Sequence, residues 1–121
     1  MEEQAVNRGY LRIDQAHTCA RVIQLCRRDE VDLPHVCRIV VSDQTLVDAV
    51  LTEANAMRMG TRAPIRTVEH AASFLGARRV ARIAETCLRE RNLTELVPTY
   101  LRAYIDRQWR VDQPTPPDTL L

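Results

Sequence analysis

There is no lysine in this 121-residue chain; all 17 basic residues are arginine. A bias that touches every basic position reflects codon usage rather than a site, because site chemistry acts on a few positions only. Aromatic residues are scarce too, with one Trp, one Phe and three Tyr making up 4% of the chain. Since 45% of residues are apolar, the core must be assembled from Val, Leu, Ile, Ala and Cys. The three glycines, Gly9, Gly60 and Gly76, lie far apart, which excludes a Gly-rich phosphate loop. No apolar run is long enough to span a membrane, and the opening MEEQAVNRGY lacks the basic start and apolar stretch of a signal peptide. The four cysteines, Cys19, Cys26, Cys37 and Cys87, form no C-x-x-C pair and fall on apolar helical faces, so they read as small core residues of a reduced, cytoplasmic protein. A net charge of +1 excludes the molecule as a whole from being an electrostatic footprint for nucleic acid.

What is present is helical periodicity. It predicts an all-α chain folded as a compact bundle of about five to six helices in one domain, which at this length buries about two thirds of the surface its unfolded form exposes. Residues 1–14 read as an N-terminal arm, 15–110 as the helical domain and 111–121 as a disordered, Pro-rich tail. Ala16, Cys19, Ala20, Ile23 and Cys26 define a first helix ending near Arg28, with Arg27 and Arg28 in its last turn. Asp32 caps a short second helix carrying Leu33, Val36, Cys37 and Val40. Ser42 or Asp43 caps a third, which presents Leu46, Val47, Val50, Leu51 and Ala54 on one face. After the break MRMGTRAPIR, Thr67 caps a fourth helix with Val68, Ala71, Ala72 and Leu75, stopped by Gly76. A fifth, from about Ala77 to Arg91, turns Val80, Ile83, Ala84, Cys87 and Leu88 inward. Thr94 caps a sixth, on which Val97, Leu101, Tyr104, Ile105 and Gln108 share a face.

The densest pattern runs from Ser42 to Gly76, SDQTLVDAVLTEANAMRMGTRAPIRTVEHAASFLG. Asp43 opens an apolar run, Ala54-Asn55 closes it, Gly60 breaks the chain, Ile65 restarts it, and Leu75-Gly76 ends the next helix. This order resembles the HDOD domain, the HD-related output domain of bacterial signalling proteins, whose usual run reads S-D-P, then L-x-A-N-S, then Y-G, then I-x-x-x-x-x-A-I-x-x-L-G. The resemblance extends from about Gln15 to Asn92 and departs at Gln44, Ala56 and Met59, where Pro, Ser and an aromatic usually stand. It implies an all-helical fold without the catalytic metal ligands of HD hydrolases, and a non-enzymatic regulatory role. The chain matches what would be the N-terminal half of such a domain. The face containing Leu101, Tyr104, Ile105 and Trp109 is therefore either the candidate interface for a second copy, as in a homodimer, or packs within the chain in place of the missing helices.

The remaining chemistry is thin. HD hydrolases hold metal through histidines and an adjacent His-Asp pair, but this chain has no His-Asp dipeptide. His17, His35 and His70 are isolated, with no carboxylate or second histidine three or four residues on, so no metal site or cofactor is expected. Cys37 and His35, two apart on a helix, point about 200° apart and cannot share a proton. Neither Ser42 nor Ser73 sits in a nucleophile elbow. No catalytic residue is assigned. Asp43, Asn55, Gly60 and Gly76 are expected to act structurally, as cap, backbone tie and turns.

Charge is unevenly placed. Residues 58–91 carry 8 Arg against 3 acids, whereas residues 1–57 carry 6 Arg against 9. Arg58, Arg62 and Arg66 surround the loop, and Arg78, Arg79 and Arg82 open the fifth helix, so a fold that joins these ends makes one basic patch. No aromatic residues interleave with them, which leaves base stacking unsupported. The reading that follows is a non-catalytic signalling module acting by protein–protein contact. The alternative is a binder of nucleic acid or an anionic nucleotide through those arginines.

Overall fold

The computed structural model describes residues 2–58 and 63–97 together with Thr99 and Arg102, with side chains from Arg12 onward. Among the described residues the elements run α1 (Glu2–Cys26), α2 (Leu33–Val40), α3 (Gln44–Met57), α4 (Val68–Leu75) and α5 (Ala77–Glu90), followed by a 3₁₀ turn, Thr94–Leu96, and Thr99 and Arg102 beyond it are helical. Among the described residues there is no strand. The protein is all-α, a small helical bundle.

The first helix differs from the sequence expectation at both ends. It begins at Glu2 rather than near Ala16, so the lead-in is helical, and it ends at Cys26, which puts Arg27 and Arg28 beyond its last turn. Its inner stripe, Ala16, Cys19, Ala20, Val22, Ile23 and Cys26, is buried almost completely. This stripe packs most extensively on α5, and α2 and the 3₁₀ turn lie alongside it. Small side chains make the close approach possible, because Ala and Cys let neighbouring helices sit near the α1 axis.

Each following helix has a local signal at its start. Asp32 Oδ1 accepts the His35 amide at 3.2 Å, and Pro34 lies in the first turn of α2, where its missing N–H costs nothing. The connection from α2 to α3 is only Val41–Asp43, closed by amides of those three residues donating to Cys37, Ile39 and Val40 carbonyls. Thr67 Oγ1 accepts the His70 amide at 3.2 Å and starts α4. That helix begins at Val68, so Ile65 lies in the preceding non-helical segment, where it is buried at 2% exposure. Asn55 does not end α3, which continues to Met57.

Gly76 joins α4 to α5 as a single residue, with φ 85° and ψ 158°. Only glycine takes that conformation without strain, so the sharp change of helix direction depends on it. At the far end of α5, Asn92 takes φ 57° and Leu93 donates its amide to Leu88 O at 2.9 Å, a wrapped-back C-terminal stop. Arg12 Nη2 donates to Asn92 O at 3.1 Å and ties that stop to α1.

The core contains Val, Leu, Ile, Ala and Cys, and Phe74 lies outside it, 46% exposed. On α5 the inward set is Val80, Ala81, Ala84, Glu85, Cys87 and Leu88, whereas Ile83 is only partly buried. Where a sixth helix capped by Thr94 is expected, Thr94 is the first residue of the 3₁₀ turn and Leu93 is its cap. Leu93 and Val97 are buried on either side of it. Leu101, Tyr104, Ile105 and Trp109 lie outside the described residues, as do Met59, Gly60, Arg62 and residues 103–121.

Candidate functional site

The polar residues of the Ser42–Gly76 stretch are engaged inside the frame. Asp43 caps α3, its Oδ1 accepting the Thr45 amide at 2.9 Å and the Leu46 amide at 3.4 Å. The same carboxylate meets Arg91 end-on, with Nη1 to Oδ2 at 3.2 Å and Nη2 to Oδ1 at 3.4 Å. Its side chain is 5% exposed and that of Arg91 17%, so a largely desolvated, bidentate pair fastens the start of α3 to the end of α5. Asn55 Nδ2 donates to Leu51 O at 2.9 Å and to Ile65 O at 3.0 Å, while its Oδ1 accepts the Ile65 amide at 2.8 Å. One amide side chain thereby completes both backbone groups of Ile65 and pins the loop to α3. Neither residue offers an unspent group to a ligand.

A second buried ion pair has no counterpart in the sequence reading. Arg27 Nη2 donates to Glu85 Oε1 at 3.1 Å, with Glu85 fully buried. Glu85 is thus a core residue of α5. The signal for it was the position: Glu85 falls between Ala81 and Leu88, inside the buried arc of α5. Arg91 was harder to find, because it lies 48 residues from Asp43.

The four thiols are buried and free. Burial pushes Cys19 up from 9.0 to about 12, with nearby Cys87 and Asp43 adding to the rise. Burial likewise pushes Cys26 to about 11 and raises Cys37 and Cys87. Such thiols are protonated at neutral pH and poor nucleophiles. His17 and His70 are exposed and His35 half-buried, and among the described residues no group of three His, Cys, Asp or Glu side chains could hold a metal ion.

Of the six arginines expected to share a patch, the structure places five and leaves Arg62 outside the described residues. Arg66, Arg78, Arg79 and Arg82 are exposed and Arg58 is half-buried at the end of α3. Arg79 Nη1 donates to Met57 Sδ at 3.1 Å, which draws the first turn of α5 onto the last turn of α3 beside Arg58. Between these helices lies a cleft of about 340 Å³, with Ala49 and Ile83 among its apolar lining and Arg79, Arg82, Glu53 and Glu90 as its charged groups. Charges of both signs line it, so it is not a purely basic surface.

The chain matches the family model of the HDOD domain over residues 14–111. It belongs to the HDOD domain family. The match begins where the sequence resemblance does and continues past Asn92, and the family is one associated with signalling. Comparison with curated proteins and with solved structures finds no match. In this HDOD domain the departure at Gln44 has a local explanation: Gln44 occupies the first position of α3, and its Nε2 donates to Asp48 Oδ1 at 2.9 Å, stabilising the turn that a proline would otherwise pre-set. Ala56 is exposed near the end of α3. No helix among the described residues is long and apolar enough to cross a membrane.

Proposed function

We propose that this HDOD domain is a non-catalytic signalling module of the bacterial cytoplasm that works by contact with a protein partner, received at the cleft between α3 and α5. The observation that carries this reading is the division of polar groups. Asp43, Asn55, Arg91 and Glu85 hold helices together, whereas Arg79, Arg82, Glu53 and Glu90 reach the surface of one cleft. A rim of both signs over an apolar floor suits a protein segment carrying complementary charges, for which electrostatics set register and specificity. The family's association with signalling supports the same role.

The test is cross-linking in native lysate followed by mass spectrometry, comparing wild type with the charge-reversed double variant Arg79→Glu, Glu90→Arg. The expected outcome is a partner cross-linked through α3 and α5 in wild type and lost in the variant. Metal-dependent phosphoester hydrolysis by the purified protein would overturn the non-catalytic reading.

A second reading, binding of nucleic acid or an anionic nucleotide through Arg58, Arg66, Arg78, Arg79 and Arg82, draws support from the Arg79–Met57 contact, which gathers two groups of arginines at one end. Glu53 and Glu90 in the same cleft oppose it.

A further inference from the structure

A different surface carries an inference that goes beyond the partner-binding reading. On the side of α1 facing α2, a cleft of about 520 Å³ receives Arg21 from α1 and Arg38 from α2. Neither guanidinium has an ion-pair partner among the described residues. Two like charges are thus brought to one hollow where, among the described residues, the only carboxylate in the lining is Asp14, a local excess of one positive charge over that set. His17, one helical turn before Arg21, adds a ring nitrogen to the same lining.

The hydroxyls beside these cations are already committed as donors. Thr18 Oγ1 donates to Asp14 O at 2.8 Å and Ser42 Oγ donates to Ile39 O at 2.6 Å. With their protons spent, Thr18 and Ser42 present lone pairs, and the Asp14 carboxylate is itself an acceptor. A second hollow, of about 280 Å³, shares Asp14, Thr18 and Ser42 with the first and is bordered also by Gln15, Gln44 and Thr45. The Asp43 carboxylate there is held by Arg91 and by two amides, so its charge is largely countered from within. One end of the furrow therefore calls for an oxyanion and the adjoining part for hydroxyl donors. Among the described residues no aromatic side chain lines either hollow, and the side chains that do line them offer a base no stacking platform.

We propose that this furrow binds a phosphorylated sugar, with the phosphoryl group on Arg21 and Arg38 and the sugar hydroxyls on Asp14, Thr18 and Ser42. The two cations match phosphoryl geometry as forked donors, and the combined hollow is of the size that small-molecule sites occupy. The sugar phosphate is either free or the ribose phosphate of a mononucleotide.

Calorimetric titration of the full chain at low salt, with ribose phosphate, adenosine monophosphate, inorganic phosphate and ribose as probes, tests this. Ribose phosphate is expected to bind, ribose not to bind, and inorganic phosphate to bind about tenfold more weakly than ribose phosphate. Arg21→Gln and Arg38→Gln should each weaken ribose phosphate about tenfold. Asp14→Ala should narrow the preference for ribose phosphate over inorganic phosphate, because it removes both an acceptor and a like charge. All three positions are exposed, and unchanged thermal midpoints will show that the variants fold. Adenosine monophosphate binding more tightly than ribose phosphate assigns the nucleotide as the source, whereas equal or weaker binding assigns the free sugar phosphate. Ribose phosphate binding that survives both arginine substitutions, or inorganic phosphate bound as tightly as ribose phosphate, would overturn the proposal. So would no binding of either phosphorylated sugar at millimolar concentration. The Arg79→Glu, Glu90→Arg variant should bind ribose phosphate normally, so failure at one cleft is distinguishable from failure at the other.

Discussion

At the scale of single residues, Asp43 combines two duties that are separable by substitution. Asp43→Ala removes the cap of α3 and strands Arg91, 17% exposed, beside an empty acceptor site. The combined cost is expected at about 2–4 kcal/mol in urea unfolding, whereas Asp43→Asn, which keeps an oxygen for the Thr45 and Leu46 amides, should lose less. The thiols give a pH dependence with a definite sign. In the unfolded chain Cys19 and Cys26 ionise near 9.0, but in the folded protein burial holds them protonated to about 12 and about 11. Between those values the unfolded chain binds fewer protons than the folded one, so stability falls as pH rises through that window. Each thiol contributes a slope approaching about 1.4 kcal/mol per pH unit. Urea midpoints across this range should show the decline, and Cys19→Ala should flatten it; an unchanged slope in that variant would remove the thiol explanation.

Among elements, the Arg27–Glu85 pair at 3.1 Å joins the residue that follows α1 to the buried face of α5. A buried pair is expensive to break and inexpensive to replace, since removing one partner leaves a desolvated charge while removing both leaves none. Glu85→Ala should therefore cost about 3–5 kcal/mol, whereas the double change Arg27→Met, Glu85→Leu should be near neutral or stabilising. Thermal unfolding of the two variants checks this, and equal destabilisation would show that packing rather than charge dominates the site. Element boundaries show which local signals were readable. Asp32, Asp43 and Thr67 marked helix starts because a cap needs only a side chain and an amide two or three residues on. The start of α1 was not readable, because residues 1–14 have weak apolar periodicity and include Gly9, a poor helix former.

For the whole molecule, the decisive quantity is how charge is distributed over the surface. A net charge of +1, with Glu53 and Glu90 beside Arg79 and Arg82, leaves no extended single-sign face at the α3–α5 cleft. Fluorescence anisotropy with labelled DNA and RNA should accordingly show weak binding with a shallow dependence on salt. A steep slope would count several phosphate contacts and favour the nucleic-acid reading. The phosphorylated-sugar site is set at this same scale, because Arg21 and Arg38 meet only when α1 and α2 pack together.

Sequence alone determined the all-α class, the caps at Asp32, Asp43 and Thr67, the Gly76 turn and the aliphatic, cysteine-containing core, because these depend on residue type and on spacings within one or two helical turns. It also carried the family pattern, which is an order of short-range signals. Only the tertiary structure decided that Arg91 answers Asp43, that Arg27 answers Glu85, and that acids share a cleft with the α5 arginines. The two ion pairs join residues 58 and 48 positions apart, and Glu53 reaches the cleft from α3. Their distances follow from how helices pack against one another, and no periodicity within a helix encodes them.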